Sequence, residues 1–537
     1  MRAGGERGHL LPPPDVKGVS MQMNRLAKQP PLPRGSGILL PVFSLPSPFG
    51  IGTLGKESRR FIKFLAASGQ RYWQVLPIGP TSYGDSPYQS FSAFAGNPYF
   101  IDLPELVKQN LLTPEEVQSA DFGHVPDQVD YEALDQNRLD LLRRAYEHSR
   151  HRDTPAYQAF LEENQFWLGD YSLFMALKAL FGGREWLSWP KGVRLREPSE
   201  LTRYREKLAD EIDFWNFLQF TFDRQWSDLK QYANRRGVEL MGDLPIYVAM
   251  DSADVWAHGE LFQLDPEKRP VRVAGVPPDA FSETGQLWGN PLYRWDVMRK
   301  DDYAWWRKRI AFSAKRFDAM RIDHFIGIVQ YYAIPSGEDT AMHGEWLPGP
   351  GEELIQAINA AKGSCRIVAE DLGSLTPQVR ELLIRTGYPG MKVLEFAFDS
   401  GPDNEHLPCH YPKNIVAYCG THDNDTLAGF FASKKPKELA FAMEYLCAKK
   451  RRELPARTVR ALFASSADTV MLQMQDLLKL GSEARINTPS TLGNNWQWRM
   501  TPGMLTPKLA KKLRKLTRTY GRERKEEKNH EPVSKGR

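Results

Sequence analysis

The chain has 537 residues, 41 % hydrophobic and 26 % charged, a globular composition that excludes a fibrous or wholly disordered protein. Its formal charge of +5 is uneven: from Lys508 to Arg537 there are twelve Lys/Arg against four Glu, so the remainder is slightly acidic. With no nucleic-acid motif beside that basic stretch, it reads as a solvated, partly helical terminus rather than a nucleic-acid-binding module.

In chain order, residues 1–36 are rich in Pro, Gly and Arg without a period and are expected to form a disordered leader. Short β-branched runs follow at 37–43, 71–79, 238–248, 317–325, 365–373, 391–396, 414–421 and, more weakly, 484–489. Between them, 302–316, 376–385 and 436–450 carry apolar residues at helical spacing, and Thr376-Pro377 reads as an N-cap with proline in the first turn. Residues 85–235 show helix and no strand signal, including a long pattern at 200–236. Alternating strands and helices predict an α/β chain, a (β/α)8 TIM barrel, with a mainly helical insertion after the second strand. The expected division is a leader at 1–36, a catalytic barrel at 37–505 and a basic tail at 506–537, with no separate C-terminal β-sandwich domain.

No window approaches 18 continuous apolar residues, so no membrane span is expected. Four scattered cysteines without a C-x-x-C pair suggest a reducing compartment, and a cytoplasmic location is expected.

Three polar motifs close predicted strands. In Arg321-Ile-Asp323, strand alternation puts Arg321 and Asp323 on one side, where the guanidinium favours an ionised carboxylate. That pair suits a nucleophile and equally a structural salt bridge. Glu370 and Asp371 are adjacent carboxylates, so one should titrate high, as a general acid requires; a pair of loop carboxylates is the alternative. In Gly420-Thr-His-Asp-Asn-Asp-Thr426, His422 and Asp423 could grip sugar hydroxyls. The His/Asp spacing matches no defensible metal pattern, so neither metal nor cofactor is expected.

Together with GILLP at 37–41, SPYQSFSAFAGNP at 86–98, GDLPIYV at 242–248 and VPPDAFSETGQLWGNPLY at 276–293, these motifs resemble the amylomaltases, the 4-α-glucanotransferases of the α-amylase clan. The resemblance spans roughly residues 36–505. It implies Asp323 as nucleophile, Glu370 as general acid/base and Asp423 as the carboxylate that stabilises the transition state. It implies a substrate-binding set of Tyr88, Asp243, Asp279, Gln286, Trp288, Asn290, Arg321, His324, Asp371 and His422. Where many relatives carry an aromatic, this chain has Ala280. The implied partners are α-1,4-glucans and maltooligosaccharides, with glucose as an acceptor, no nucleic acid or membrane, and a monomer or weak homo-oligomer. The implied reaction is a retaining double displacement, for which two carboxyl groups should stand about 5 Å apart. A hydrolytic, α-amylase-like retaining glycosidase is the alternative, and a glucan-binding scaffold without catalysis a more distant one.

Overall fold

The computed structural model describes residues 26–279, 282–373 and 375–524. Among them twelve strands are formed: β1 (Gly35–Leu39), β2 (Tyr72–Gln74), β3 (Glu239–Leu244), β4 (Arg272–Val276), β5 (Gln286–Pro291), β6 (Ala319–Ile322), β7 (Gln330–Pro335), β8 (Glu345–Pro348), β9 (Arg366–Ala369), β10 (Gly390–Val393), β11 (Ile415–Tyr418) and β12 (Thr469–Gln473). Eight of them pair in parallel in the order β10-β11-β12-β1-β2-β3-β6-β9. That order is sequential around the sheet, as a (β/α)8 barrel requires.

Strand alternation divides the buried residues in two. Leu39, Tyr72, Met241, Ala319, Val368, Met391, Val416 and Met471 form the cluster inside the barrel. Their neighbours Ile38, Trp73, Leu240, Met320, Ile367, Ala417 and Val470 join the larger core beneath the helices. Two residues further along, the inward positions turn polar, with Gln74, Asp243, Arg321 and Tyr418 buried. The barrel is therefore packed with hydrocarbon below and polar groups at its carboxyl end, where the loops build a site.

The seam lies between β9 and β10, the two ends of the sheet. The Ala369 N–H donates across it to the Pro389 carbonyl at 2.9 Å. Gln29 also acts there as a surrogate strand: its side-chain amide donates to the Ile367 carbonyl and accepts from the Ile367 N–H, both at 2.8 Å. Its own N–H donates to the Thr386 carbonyl at 2.7 Å. The expected leader is thus folded from Gln29 onward and becomes β1 at Gly35, while its first 25 residues lie outside the described ones.

The insertion after β2 is helical, and its long pattern divides at Leu208 into helices Pro198–Lys207 and Ala209–Asn234. Sequence reasoning missed a second sheet, antiparallel, in the order β5-β4-β7-β8. Its short strands sit in the connections that follow β3 and β6, and Gly289 and Pro291 obscure their period. The eighth barrel strand also differs from expectation. It is β12, wholly buried, and not 484–489. Its apolar run continues directly into helix Met474–Leu478, so no turn residue marks its end.

At the C-terminus, helix Pro507–Thr519 buries Ala510, Leu513 and Thr517. Arg522 is fully buried and donates to the carbonyls of Phe463, Ser465 and Ala467. Part of the basic tail is therefore structural; residues 525–537 lie outside the described ones. Among the described residues, no helix is long and apolar enough to cross a membrane.

Gln29→Ala should lower the unfolding free energy by about 2 kcal/mol, because two buried backbone groups of Ile367 lose their partner. A thermal midpoint equal to that of the wild type would show that the seam does not depend on this residue.

Candidate active site

The site grows from the register of three neighbouring strands. Asp243 on β3 pairs with Arg321 on β6, and Ile322 pairs with Ala369 on β9. Asp323 and Glu370, one residue beyond that last pair, therefore leave adjacent strands at the same level. Adjacent strands run about 4.8 Å apart.

Arg321 Nη1 donates to both Asp243 carboxylate oxygens at 2.8 Å, and its Nη2 reaches Asp323 Oδ1 at 2.7 Å. Burial works against the guanidinium charge, but Asp243 and Asp323 overcome it and hold Arg321 well above its ordinary value. Burial likewise pushes the Asp243 carboxyl up, opposed by Arg321. The Tyr88 hydroxyl donates to Asp243 Oδ2 at 3.1 Å, which fixes the ring beside the carboxylates.

Glu370 occupies a different environment. Its Oε2 accepts the His324 N–H at 2.7 Å and its Oε1 the Leu372 N–H at 2.8 Å. Burial and then the nearby Asp323 charge push its carboxyl up to about 7, against the opposing pull of Arg321 and the two N–H groups. Two neighbouring carboxyl groups with such different surroundings can divide the roles of nucleophile and proton donor.

Asp371, next in sequence, goes elsewhere. Its Oδ1 accepts the Met391 N–H at 2.6 Å, and its carboxylate packs where a side chain on Gly390 would stand. That contact braces β10 and leaves Glu370 as the member of the pair that joins the cluster.

On the far side, His422 is buried and its ring stacks on Tyr88 at 5.1 Å and 15°. Its Nε2 lies 3.3 Å from Asp423 Oδ2. Trp496 completes an aromatic group with these two rings, 5.8 Å from Tyr88 and 5.9 Å from His422. The Asn487 amide donates to Asp423 Oδ1 at 2.6 Å. Sequence reasoning singled out neither Trp496 nor Asn487; the polar string Asn494-Asn-Trp-Gln497 was the one available hint of a loop near a site.

The second sheet supplies the remaining wall. Gln286, Trp288 and Asn290 alternate along β5 and so share a face. Trp288 donates from Nε1 to Gln286 Oε1 at 3.1 Å and meets the His324 ring edge to face at 4.9 Å. His324 adopts φ 48°, a left-handed conformation uncommon outside glycine and held here by its surroundings. Burial lowers its imidazole to about 4, so the ring is neutral at pH 7, and its Nε2 has no protein partner. Asn290 is buried and donates to the Val248 carbonyl at 2.8 Å, tying β5 to the chain after β3. Asp279 is exposed and its Oδ1 accepts the Ser282 N–H at 2.9 Å. Ala280 lies outside the described residues.

A family model described as 4-alpha-glucanotransferase matches residues 40–506. A 4-alpha-glucanotransferase of Clostridium butyricum is 47 % identical over 485 residues, covering 90 % of this chain and 99 % of its own. One from Thermus thermophilus is 47 % identical over 496 residues, covering 90 % and 98 %. Among solved structures, the amylomaltase from Streptococcus agalactiae in complex with acarbose superposes with a TM-score of 0.89 at 40 % identity, covering 91 % of this chain and all of that one.

If Glu370 supplies a proton to the leaving group, kcat/KM should hold below pH 7 and fall as the pH rises through about 7, where this carboxyl loses its proton. A pH profile whose alkaline limb begins near 4.5 would show that burial does not raise it.

Proposed function

From the premise that this chain belongs to the 4-alpha-glucanotransferase family and is a 4-alpha-glucanotransferase, we propose how its residues divide the reaction. Asp323 is the nucleophile, Glu370 the general acid/base, and Asp423 the carboxylate that stabilises the flattened, cationic sugar ring. The observation that carries this reading is the paired exit of Asp323 and Glu370 from adjacent strands, one on Arg321 and the other in a buried pocket of backbone amides.

In the first step Glu370 gives its proton to the glycosidic oxygen while Asp323 attacks the anomeric carbon. The C–O bond to the leaving chain breaks, and a β-linked glycosyl ester forms on Asp323. The leaving chain departs with a free 4-hydroxyl. An acceptor glucan enters, Glu370 takes the proton of its 4-hydroxyl, and the new oxygen displaces Asp323. Two inversions restore the α-linkage, and Glu370 ends protonated as it began. Arg321 pairs with Asp323 and orients it for attack, and Tyr88, His422 and the neutral His324 bind the sugar hydroxyls and faces. Glucose is the smallest acceptor, and α-1,4-glucans and maltooligosaccharides are donors. The site of action is the cytoplasm, where the four free thiols stay reduced.

Transfer outpaces hydrolysis when the acceptor is held better than water. Trp288, packed on His324, is the wall that supports this on the acceptor side. Trp288→Ala should therefore raise the hydrolysis-to-transfer ratio more than it lowers total bond cleavage, and an unchanged ratio would remove this loop from water exclusion.

Incubation with maltotriose tests the whole reading. Glucose together with maltopentaose and longer chains is expected, whereas glucose and maltose alone would mark a hydrolase. Asp323→Asn should keep the fold and lose turnover by roughly 10³-fold or more; near-native turnover would overturn the nucleophile.

A further inference from the structure

Asp423 is the least anchored of the three carboxylates. It lies five residues beyond the end of β11, on a turn, and its side chain is 42 % exposed against 29 % for Asp323. Asn424 braces that turn, its Oδ1 accepting from the Thr421 N–H and hydroxyl at 2.9 and 3.0 Å, and the Asp423 N–H donates to Thr421 Oγ1 at a long 3.4 Å. Its shortest hydrogen bonds, both 2.6 Å, come from more than sixty residues further on. Arg485 Nη2 donates to the main-chain carbonyl of Asp423 at 2.6 Å, and its Nε donates to the Asn487 carbonyl at 2.8 Å. Asn487 in turn donates from its backbone to the His422 carbonyl at 3.1 Å and from its side chain to Asp423 Oδ1.

We propose that Arg485 is a positioning residue of the transfer reaction: its guanidinium locks the Asp423 peptide to the Asn487 strap, so that Asn487 can aim the Asp423 carboxylate at the sugar. The inference rests on the role assigned to Asp423 above. A planar fork is suited to this task, because Nε and Nη2 donate at fixed angles to two carbonyls that must keep their relative place.

The strap is itself tied down. Ile486 is buried, its carbonyl accepts the Trp496 N–H at 2.7 Å, and the Trp496 carbonyl accepts the Tyr131 hydroxyl at 2.9 Å. Arg485 thus links the catalytic turn to the helical insertion. The guanidinium also acts electrostatically on the buried Glu395, against the charges of Asp476 and Asp425. A neutral replacement therefore removes both the fork and a nearby cation, which a lysine would keep in part.

The test is a double-mutant cycle in the full-length protein, measured as kcat and KM for maltotriose disproportionation with circular dichroism as the fold control. Arg485→Met should lower kcat roughly 10- to 100-fold, as a small misplacement of a reacting group does, with KM moving less than about threefold. Arg485→Lys should fall between it and the wild type. In an Asp423→Ala background, Arg485→Met should cost less than about threefold more, because its target is gone. An equal cost in both backgrounds, or an effect on KM alone, would overturn the positioning role. Native kcat in Arg485→Met beside an Asp423→Ala variant of strongly reduced but measurable turnover would overturn this inference and leave the Asp423 assignment standing. Native kcat in Asp423→Ala would instead overturn that assignment. If Arg485→Met does not fold, Arg485→Lys takes its place in the same cycle under the same criteria.

Discussion

A buried guanidinium must be paired, and the arrangement of this site follows from how Arg321 meets that demand. An unpaired charge at that depth would cost several kcal/mol. Asp243 binds it on both oxygens and Asp323 takes the other nitrogen, so two strands and the first residue of the following loop are committed to one geometry. Tyr88 then hangs from Asp243, and His422 stacks on Tyr88. The same cation that orders these groups pairs with Asp323, while burial leaves Glu370 with a high affinity for its proton in spite of its two backbone N–H donors. Structural pairing and catalytic preparation are the same interaction.

The rest of the molecule supplies what a barrel alone lacks. The helical insertion presents Tyr88 and anchors the strap through Tyr131. The small antiparallel sheet brings Trp288 over His324 and forms a wall that a bare barrel rim does not have. Residues after β12 return across the catalytic end and hold Asp423. The turn that carries Asp423 is tied in this way to the segment after β12, which suits a transfer that needs its groups held in place.

Much of this was legible in the sequence because it follows local periodicity. Arg321 and Asp323 lie two apart on a strand, and the structure makes their ion pair directly. The seven stronger strand runs correspond to seven barrel strands, and the helical insertion has its expected character. Local spacing could not tell Glu370 from Asp371, since both follow an apolar run; which one faces the site depends on a hydrogen bond to Met391 across the seam. The eighth strand was missed because β12 runs into a helix without a break, while 484–489, which leaves a 3-10 turn at Ala484 and pairs with no barrel strand, imitates one in its residue pattern. Arg485, Asn487 and Trp496 were illegible for a related reason. Their partners Asp423 and His422 lie more than sixty residues away, and only closure of the barrel brings them together. The Gln29 surrogate strand is the same kind of feature, a single polar residue whose meaning depends on a distant edge.

In the proposed division of roles Asp323, paired with Arg321, carries the glycosyl group. The most direct test uses Glu370→Gln with α-maltosyl fluoride, whose leaving group needs no proton, so that the first step proceeds while the second, deprived of its base, is slow. Digestion and mass-spectrometric mapping of the quenched protein should find the maltosyl adduct on Asp323. An adduct on Asp423, or fluoride release with no adduct on any carboxylate, would contradict the account.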